Sequence, residues 1–191
     1  MTITNKDKRI LNFIEEWESI TINQCAQMFY PPKFGYDYAR QKLKKLKDRE
    51  VLKMMHDPIL DEHVYYIDKI PSPHNNALLN FYTNCIAFKL SIMSFEKEKS
   101  FLGKSIRSDG FCIWEGQYGA QIGIIEVDLY HNTNIGKYEK LYQDGELQKQ
   151  YGDFPYLIIL SLTPRHISSK NITIISMNLK CSDFIEKVLP L

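Results

Sequence analysis

The chain has 191 residues, 44% of them hydrophobic, and a formal net charge of +1; it is long enough for one large domain or two small ones, and its bulk charge alone would not bind polyanions. No apolar run approaches the roughly 18 residues that span a membrane, and the N-terminus is too charged for a signal peptide, so we expect a cytoplasmic protein that contacts no membrane. The four cysteines lie far apart without a CxxC pair, which argues against a structural zinc site and for reduced thiols.

Two amphipathic helices are predicted near the N-terminus. Over residues 8–17 and again over 22–29, apolar residues recur at the spacing of one helix face. Thr21 and Gln24 have the spacing of a capping box, in which each side chain accepts a backbone N–H of the other residue. The second helix is therefore expected to begin directly after Thr21.

A third helix and a hairpin follow. The stretch YPPKFGYD breaks the chain, and a helix is predicted over about residues 37–50. Its inner face carries Ala39, Leu43 and Leu46. Residues 51–69 then have the pattern of two short strands around a polar turn. Three helices and a hairpin in this order are typical of a winged helix-turn-helix, whose third helix enters the major groove of DNA.

Positive charge is concentrated on this third helix. Residues 33–53 contain eight basic and three acidic side chains, a local charge of +5. Lysine and arginine contacts to phosphate supply most non-specific DNA affinity. The residues that we expect to contact double-stranded DNA are Tyr36, Tyr38, Arg40, Gln41, Lys44, Lys45 and Lys47. The alternatives are a solvated lysine face that binds nothing and a winged helix that serves dimerisation.

The tip of the hairpin is rich in polar side chains. It contains His56, Asp57, Asp61, Glu62 and His63. Such a set has the composition of a metal site, but hairpin turns favour aspartate and proline for backbone reasons alone. We therefore interpret it as a polar turn.

A second domain is predicted after the proline-containing stretch IPSPHNN, which gives domains of residues 1–70 and 71–191. A buried helix is expected over residues 77–93, followed by strands in EKEKSFLG, SIRSDGFCIWE and QIGIIEVDLY. A helix over residues 135–151 separates these from two further apolar strands and a C-terminal helix. A helix between two apolar strands suggests a crossover, so we expect an α+β protein whose second domain has a mixed sheet.

The strand QIGIIEVDLY changes character halfway along one face. Side chains alternate in a strand, so Ile122 and Ile124 share a face with Glu126 and Asp128. Adjacent buried carboxylates are costly unless a cation or hydrogen-bond donors offset them. The preceding strand supplies a third carboxylate, Asp109. The pattern therefore predicts a metal site at the strand end, the alternative being a strand that simply emerges into solvent.

Two lysines follow on the next helix, Lys137 and Lys140, three residues apart on one side. An aspartate, a glutamate and a lysine form a minimal centre for phosphodiester hydrolysis, in which carboxylates hold Mg²⁺. The predicted metal ligands are Asp109, Glu126 and Asp128, and Lys140 completes the candidate catalytic set. The alternative for Lys140 is a solvated helix lysine.

The sequence resembles the replication-relaxation family of plasmids, phages and integrative elements in three stretches. ITINQCAQMFY…YARQKLKKLKDREVLKM is similar to its helix-turn-helix, and RSDGF is similar to its PDa element, with Ser108 in place of the proline before Asp109. IIEVDL…EKLY is similar to its EvD…Kl element and aligns Glu126, Asp128, Lys140 and Leu141. The resemblance implies a winged helix joined to a domain similar to the PD-(D/E)XK restriction-endonuclease fold. It also implies that aspartate in place of the nuclease lysine is a family trait.

Three functions are compatible with this reading. The first is a DNA-binding accessory protein of mobile-element replication or mobilisation, acting with replication or relaxosome proteins or as a homodimer. The second is a Mg²⁺-dependent nuclease targeted by its winged helix, and the third is a transcriptional regulator. The sequence favours the first, in which Mg²⁺ has no role and the second domain does not cut DNA.

Overall fold

Capping residues define the starts of the first two helices. The computed structural model describes residues 3–191. The N-terminal helices are α1 (Asn5–Trp17), α2 (Ile22–Phe29) and α3 (Gly35–Lys47). Thr4 and Asp7 form a capping box at α1, and Thr21 and Gln24 form one at α2. The predicted helices and the predicted capping box are confirmed.

The three helices bury one face each. The buried apolar side chains of α1, α2 and α3 include Ile10, Phe13, Ile14, Trp17, Cys25, Ala39, Leu43 and Leu46. Full burial of an isoleucine, leucine or phenylalanine side chain contributes about 1.5–3 kcal/mol. The predicted inner face of α3 is therefore confirmed, and its opposite face is left exposed.

A small antiparallel sheet follows the helices. Its strands are β1 (Ile20–Thr21), β2 (Lys53–Asp57) and β3 (Glu62–Tyr66), in the order β1-β3-β2. Buried Asp57 stabilises the turn between β2 and β3, because its Oδ1 accepts the backbone N–H groups of Ile59 and Leu60 at 2.9 and 3.2 Å. The predicted hairpin is confirmed.

The helix α4 (Pro73–Ala87) joins this unit through buried polar contacts. Asn76 Nδ2 donates to Asp57 Oδ2 at 2.8 Å, and Gln24 Nε2 donates to Asn80 Oδ1 at 2.7 Å. Buried amides require such partners. The chain accordingly divides into units that end at Ala87 and begin at Phe88, whereas the sequence placed the domain boundary at residue 70.

The second unit is a mixed α/β structure. Its strands are β4 (Ser91–Lys97), β5 (Ser100–Phe101), β6 (Ile106–Arg107), β7 (Gly110–Gly116), β8 (Gly119–Asp128), β9 (Tyr156–Ser161) and β10 (Ile174–Asn178). Its helices are α5 (Ile135–Asp144), α6 (Glu146–Tyr151) and α7 (Phe184–Lys187), with a 3₁₀ turn at Leu102–Lys104.

Five of these strands form one sheet in the order β10-β9-β8-β7-β4. β8, β9 and β10 run parallel, whereas β7 and β4 are antiparallel to their neighbours. The helices α5 and α6 connect the parallel pair β8 and β9, as the crossover prediction requires. The α+β class and the mixed sheet are therefore confirmed. No helix within residues 3–191 is both long and apolar enough to cross a membrane.

Two predicted helices differ from the structure. The helix expected over residues 77–93 ends at Ala87, and Ser91–Lys97 pairs with β7 instead. The chain is mostly apolar across this junction, so periodicity does not separate helix from strand. The helix expected over residues 135–151 is divided at Gly145, which caps α5 in the left-handed conformation (φ 74°).

Candidate functional site

The C-terminal end of β8 brings a carboxylate to the edge of an apolar core. Ile124 belongs to the core that the sheet forms with Tyr138 and Leu141 of α5. Glu126, two residues further along the same face, is only 8% exposed. The change from isoleucine to carboxylate predicted from strand alternation is therefore present beneath α5.

Two side chains of α5 donate hydrogen bonds to the Glu126 carboxylate. Lys137 Nζ donates to Glu126 Oε1 at 2.7 Å, and the Tyr138 hydroxyl donates to the same oxygen. Lys137 also approaches the carbonyl oxygen of Arg107 at 3.5 Å. One cation and one hydroxyl thus offset the burial of this carboxylate, as a buried charge requires.

Asp109 lies beside Glu126. Its Oδ2 accepts the backbone N–H of Val127 at 2.7 Å, which attaches the carboxylate that precedes β7 to the end of β8. Burial raises the pKa of Glu126 to about 7. The hydrogen bond and positive charge of Lys137 lower this pKa, whereas the negative charge of Asp109 and its hydrogen bond to Glu126 raise it further. The structure therefore brings Asp109, Glu126 and Lys137 together.

Asp128 takes part in a different set of contacts. Its two carboxylate oxygens accept the Thr133 backbone N–H at 2.9 and 3.0 Å, and Oδ1 accepts the Thr133 hydroxyl at 2.6 Å. Arg165 donates to Oδ2 at 3.1 Å from the loop after β9. Asp128 thus anchors two loops at the carboxyl edge of the parallel strands.

The helix lysine that reaches Glu126 is Lys137, and not Lys140 as the candidate catalytic set assumed. Lys140 is exposed, whereas Lys137 and Tyr138 begin the turn of α5 that lies over Glu126. Lys137 and Tyr138 are three and two residues closer to the start of α5 than Lys140, where the helix passes the strand end. Spacing placed both lysines on one side of α5 but could not decide which one lies above the carboxylate.

Sequence reasoning missed Tyr138, Thr133 and Arg165. Tyr138 has two roles: its ring is in the core and its hydroxyl donates a hydrogen bond to Glu126. A signal for Arg165 existed, because the carboxyl ends of neighbouring parallel strands meet at one edge, where side chains from the following loops converge.

Asp109, Glu126 and Asp128 do not form a single three-carboxylate group. Within residues 3–191 no three His, Cys, Asp or Glu side chains are grouped to hold one metal ion, and Asp128 is engaged by Thr133 and Arg165 instead of joining the other two carboxylates. Asp109 and Glu126 remain as an adjacent oxygen pair. One or two carboxylates, completed by water and substrate phosphate, are a usual Mg²⁺ environment, so this pair fits the ion.

The residues predicted to contact DNA all lie on the exposed face of α3. This face comprises Tyr36, Tyr38, Arg40, Gln41, Lys44, Lys45 and Lys47, each of which is exposed. Tyr38 packs between Tyr30 and Phe34, with ring centroids at 6.1 and 6.5 Å. The aromatic side chains therefore form one end of the face and the cations extend along the rest.

One basic residue of this segment is used inside the unit. Lys42 Nζ lies 2.6 Å from Oδ1 of Asp7, whose residue is fully buried. Burial alone raises the pKa of Asp7, but hydrogen bonds from Lys42 and Thr4 outweigh it and hold the pKa below its ordinary value. Lys42 thus fastens α3 to α1, and the cationic face is one charge smaller than the sequence count.

Comparison with known proteins gave no relative. The chain matches no protein-family model, no curated protein and no solved structure. The resemblance to replication-relaxation proteins therefore stays a prediction, and functional inference depends on the residues and their geometry.

Proposed function

We propose that the chain is a DNA-binding accessory protein of plasmid, phage or other mobile-element replication or mobilisation. It binds double-stranded DNA through its first unit, which acts as a winged helix-turn-helix. The observation that carries this proposal is the exposed face of α3, where seven polar, cationic and aromatic side chains point away from a packed helical core.

The element order of the first unit supports the proposal. Three helices are followed by the hairpin β2-β3, with β1 as the third strand of the sheet. In winged helix-turn-helix proteins the third helix enters the major groove while flanking elements contact the backbone. Burial of Ala39, Leu43 and Leu46 fixes the rotation of α3 and leaves its cationic side available to a groove.

The chemistry of the exposed face matches the two tasks of such a helix. Arg40 and Gln41 have side chains that form bidentate hydrogen bonds with guanine and adenine edges. Lys44, Lys45 and Lys47 lie in the C-terminal half of α3, where cations contact phosphate. On this face, two side chains would recognise bases, and the lysines would add affinity that does not depend on the DNA sequence.

The test is a binding titration of the full chain with duplex DNA. Lys44→Ala/Lys45→Ala should weaken binding to any duplex, whereas Gln41→Ala should alter the preference among duplex sequences. A matched control is Lys149→Ala/Lys170→Ala, which removes two exposed lysines of the second unit. Wild-type protein that binds no duplex at low salt would contradict the proposal.

A second candidate function, a Mg²⁺-dependent nuclease, is favoured by the meeting of Asp109, Glu126 and Lys137. Mg²⁺ held by the two carboxylates would supply charge stabilisation and an activated water for phosphodiester hydrolysis. Lys137 orients the Glu126 carboxylate and keeps a positive charge beside it. Tyr138 holds the same oxygen from the core side.

Supercoiled plasmid distinguishes the two functions. It is incubated with the protein in Mg²⁺, in Mn²⁺ and in chelator, alongside Glu126→Ala, Lys137→Met and Lys140→Met variants. A nuclease predicts metal-dependent nicking that Glu126→Ala and Lys137→Met lose and Lys140→Met keeps. Bound plasmid without nicking in either metal would exclude the nuclease and leave the accessory protein.

A further inference from the structure

Two histidines lie directly opposite each other on the hairpin. His56 in β2 and His63 in β3 are register partners in the antiparallel pair, and their ring centroids are 5.5 Å apart. Side chains of directly opposed residues share one face of a sheet. Both histidines are exposed, so neither imidazole is part of the core.

The turn itself does not explain these histidines. Asp57 alone provides the side-chain acceptor for the backbone N–H groups of Ile59 and Leu60, and it is buried against Asn76. The preference for a polar turn therefore accounts for Asp57. His56, Asp61 and His63 lie on the exposed side of the hairpin and need another explanation.

The two imidazoles line a concave site. A cleft of about 230 Å³ is bounded by the histidine pair, by Asp61, by Asn23 at the start of α2 and by Tyr36 at the start of α3. It is a separate site from the Glu126 cluster, which belongs to the second unit. Asp61 Oδ1 lies 3.1 Å from His56 Nε2.

The Asp61 contact prepares His56 to act as a ligand. A carboxylate that accepts the N–H of one ring nitrogen leaves the other nitrogen as a lone-pair donor. Metal-binding histidines almost always have such an outer partner, which fixes the ring and raises its basicity. His56 therefore carries Nδ1 as its free donor when Nε2–H is bonded to Asp61.

We propose that His56 and His63 together bind a divalent transition-metal ion of the Zn²⁺, Ni²⁺ or Cu²⁺ class. Imidazole nitrogen suits these ions and does not suit Mg²⁺ or Ca²⁺. Within residues 3–191 no group of three His, Cys, Asp or Glu side chains could hold a metal. The proposed site therefore has two protein ligands, and water takes the remaining coordination positions. The site is a two-imidazole chelate with Asp61 as its outer carboxylate.

Occupation of this site would affect DNA binding, a step that rests on the proposed function. The hairpin carries Asp61 and Glu62 at the cleft that Tyr36 of α3 also lines. Two carboxylates at this place repel DNA phosphate, and a bound divalent cation offsets them. The metal should therefore tighten DNA binding through the hairpin without altering the lysines of α3.

Metal binding is tested first, on untagged full-length protein without DNA. Zn²⁺ titration followed by calorimetry and by the histidine ring resonances should give a saturable one-to-one transition that shifts His56 and His63 alone. His56→Gln and His63→Gln should each abolish it, and Asp61→Asn should weaken it by about tenfold or more. His131→Gln, at an exposed histidine of the second unit, is the matched control and should bind as wild type.

Two results would overturn the proposal: no saturable binding at a several-fold molar excess of Zn²⁺ or Ni²⁺, or binding that survives in His63→Gln. Circular dichroism of each variant confirms that the fold is retained. DNA affinity is then measured with and without Zn²⁺. A metal site without DNA binding at any salt would contradict the proposed function alone, so the two failures remain distinguishable.

Discussion

Lys137 of α5 donates a 2.7 Å hydrogen bond to Glu126, at the C-terminal end of β8. The cation beside the Glu126 carboxylate therefore comes from a helix. Asp128, the next residue on the same face of β8, instead contacts Thr133 and Arg165. The structure brings Asp109 and Glu126 together, and the lysine that reaches Glu126 is Lys137, whereas the sequence placed Lys140 in the candidate set.

Removing this lysine should destabilise the protein. Lys137→Met leaves the buried Glu126 carboxylate with only the Tyr138 hydroxyl and the Asp109 contact, and an unsatisfied buried polar group costs about 1–3 kcal/mol. Urea unfolding at pH 8 measures the loss. Lys140→Met, one turn further along α5 and exposed, should change stability by less than about 0.5 kcal/mol. Equal losses in the two variants would contradict the assignment.

The stability of the protein should fall as pH rises through the titration of Glu126. Burial raises the pKa of this carboxyl from 4.5 to about 7, so between these values the folded protein holds a proton that the unfolded chain releases. Stability contributed by the protonated form is therefore complete below pH 4.5 and is lost as pH approaches and passes 7.

Glu126→Gln should flatten the stability profile in this window, measured by denaturant unfolding in chelator. Glu15→Gln, at an exposed position of α1, serves as the control and should follow wild type. A Glu126→Gln profile that runs parallel to wild type from pH 4.5 to 7 would show that the carboxyl titrates normally.

Lys42 should matter for stability and not for DNA. Lys42→Met leaves fully buried Asp7 without its cation, at a cost of about 1–3 kcal/mol. Because Lys42 is directed toward α1, the variant should keep the salt dependence of DNA binding while it is folded. A reduced salt dependence in folded Lys42→Met would place this side chain at the DNA.

The buried amide of Asn76 should hold α4 to the first unit. Asn76→Ala removes the hydrogen bond to Asp57 Oδ2 and leaves that buried carboxylate oxygen without its donor, which we expect to cost about 1–3 kcal/mol. Asn75→Ala, whose contact to Glu18 is closer to the surface, should cost less. Hydrogen exchange along α4 reports the change, and equal protection in the two variants would contradict it.

Periodicity and capping were sufficient to predict α1, α2, α3 and the hairpin, because each has a local sequence signature. Composition places a boundary after residue 70, whereas the compact units divide after Ala87. What binds α4 to the first unit is a set of contacts to Asp57 and Gln24, more than 15 residues distant in sequence.

In the candidate site, too, the residues placed by local sequence patterns could be predicted, and those placed by contacts between distant elements could not. Strand alternation was enough to place Glu126 on the face of Ile124, and chain order placed Asp109 on the adjoining strand. The choice between Lys137 and Lys140 depends on where α5 crosses β8, and the Arg165 contact depends on the register of β8 with β9. Both are set by packing across the sheet.

The salt dependence of DNA binding tests the central claim most directly. The logarithm of the association constant for one duplex is measured against the logarithm of salt concentration, for wild type, Lys44→Ala/Lys45→Ala and Lys149→Ala/Lys170→Ala. Each lost phosphate contact should reduce the slope by about 0.9, so the α3 variant should bind more weakly with a slope shallower by about 2, and the control should match wild type. Identical binding by the α3 variant and wild type at every salt concentration would contradict the assignment of α3 as the DNA-binding helix.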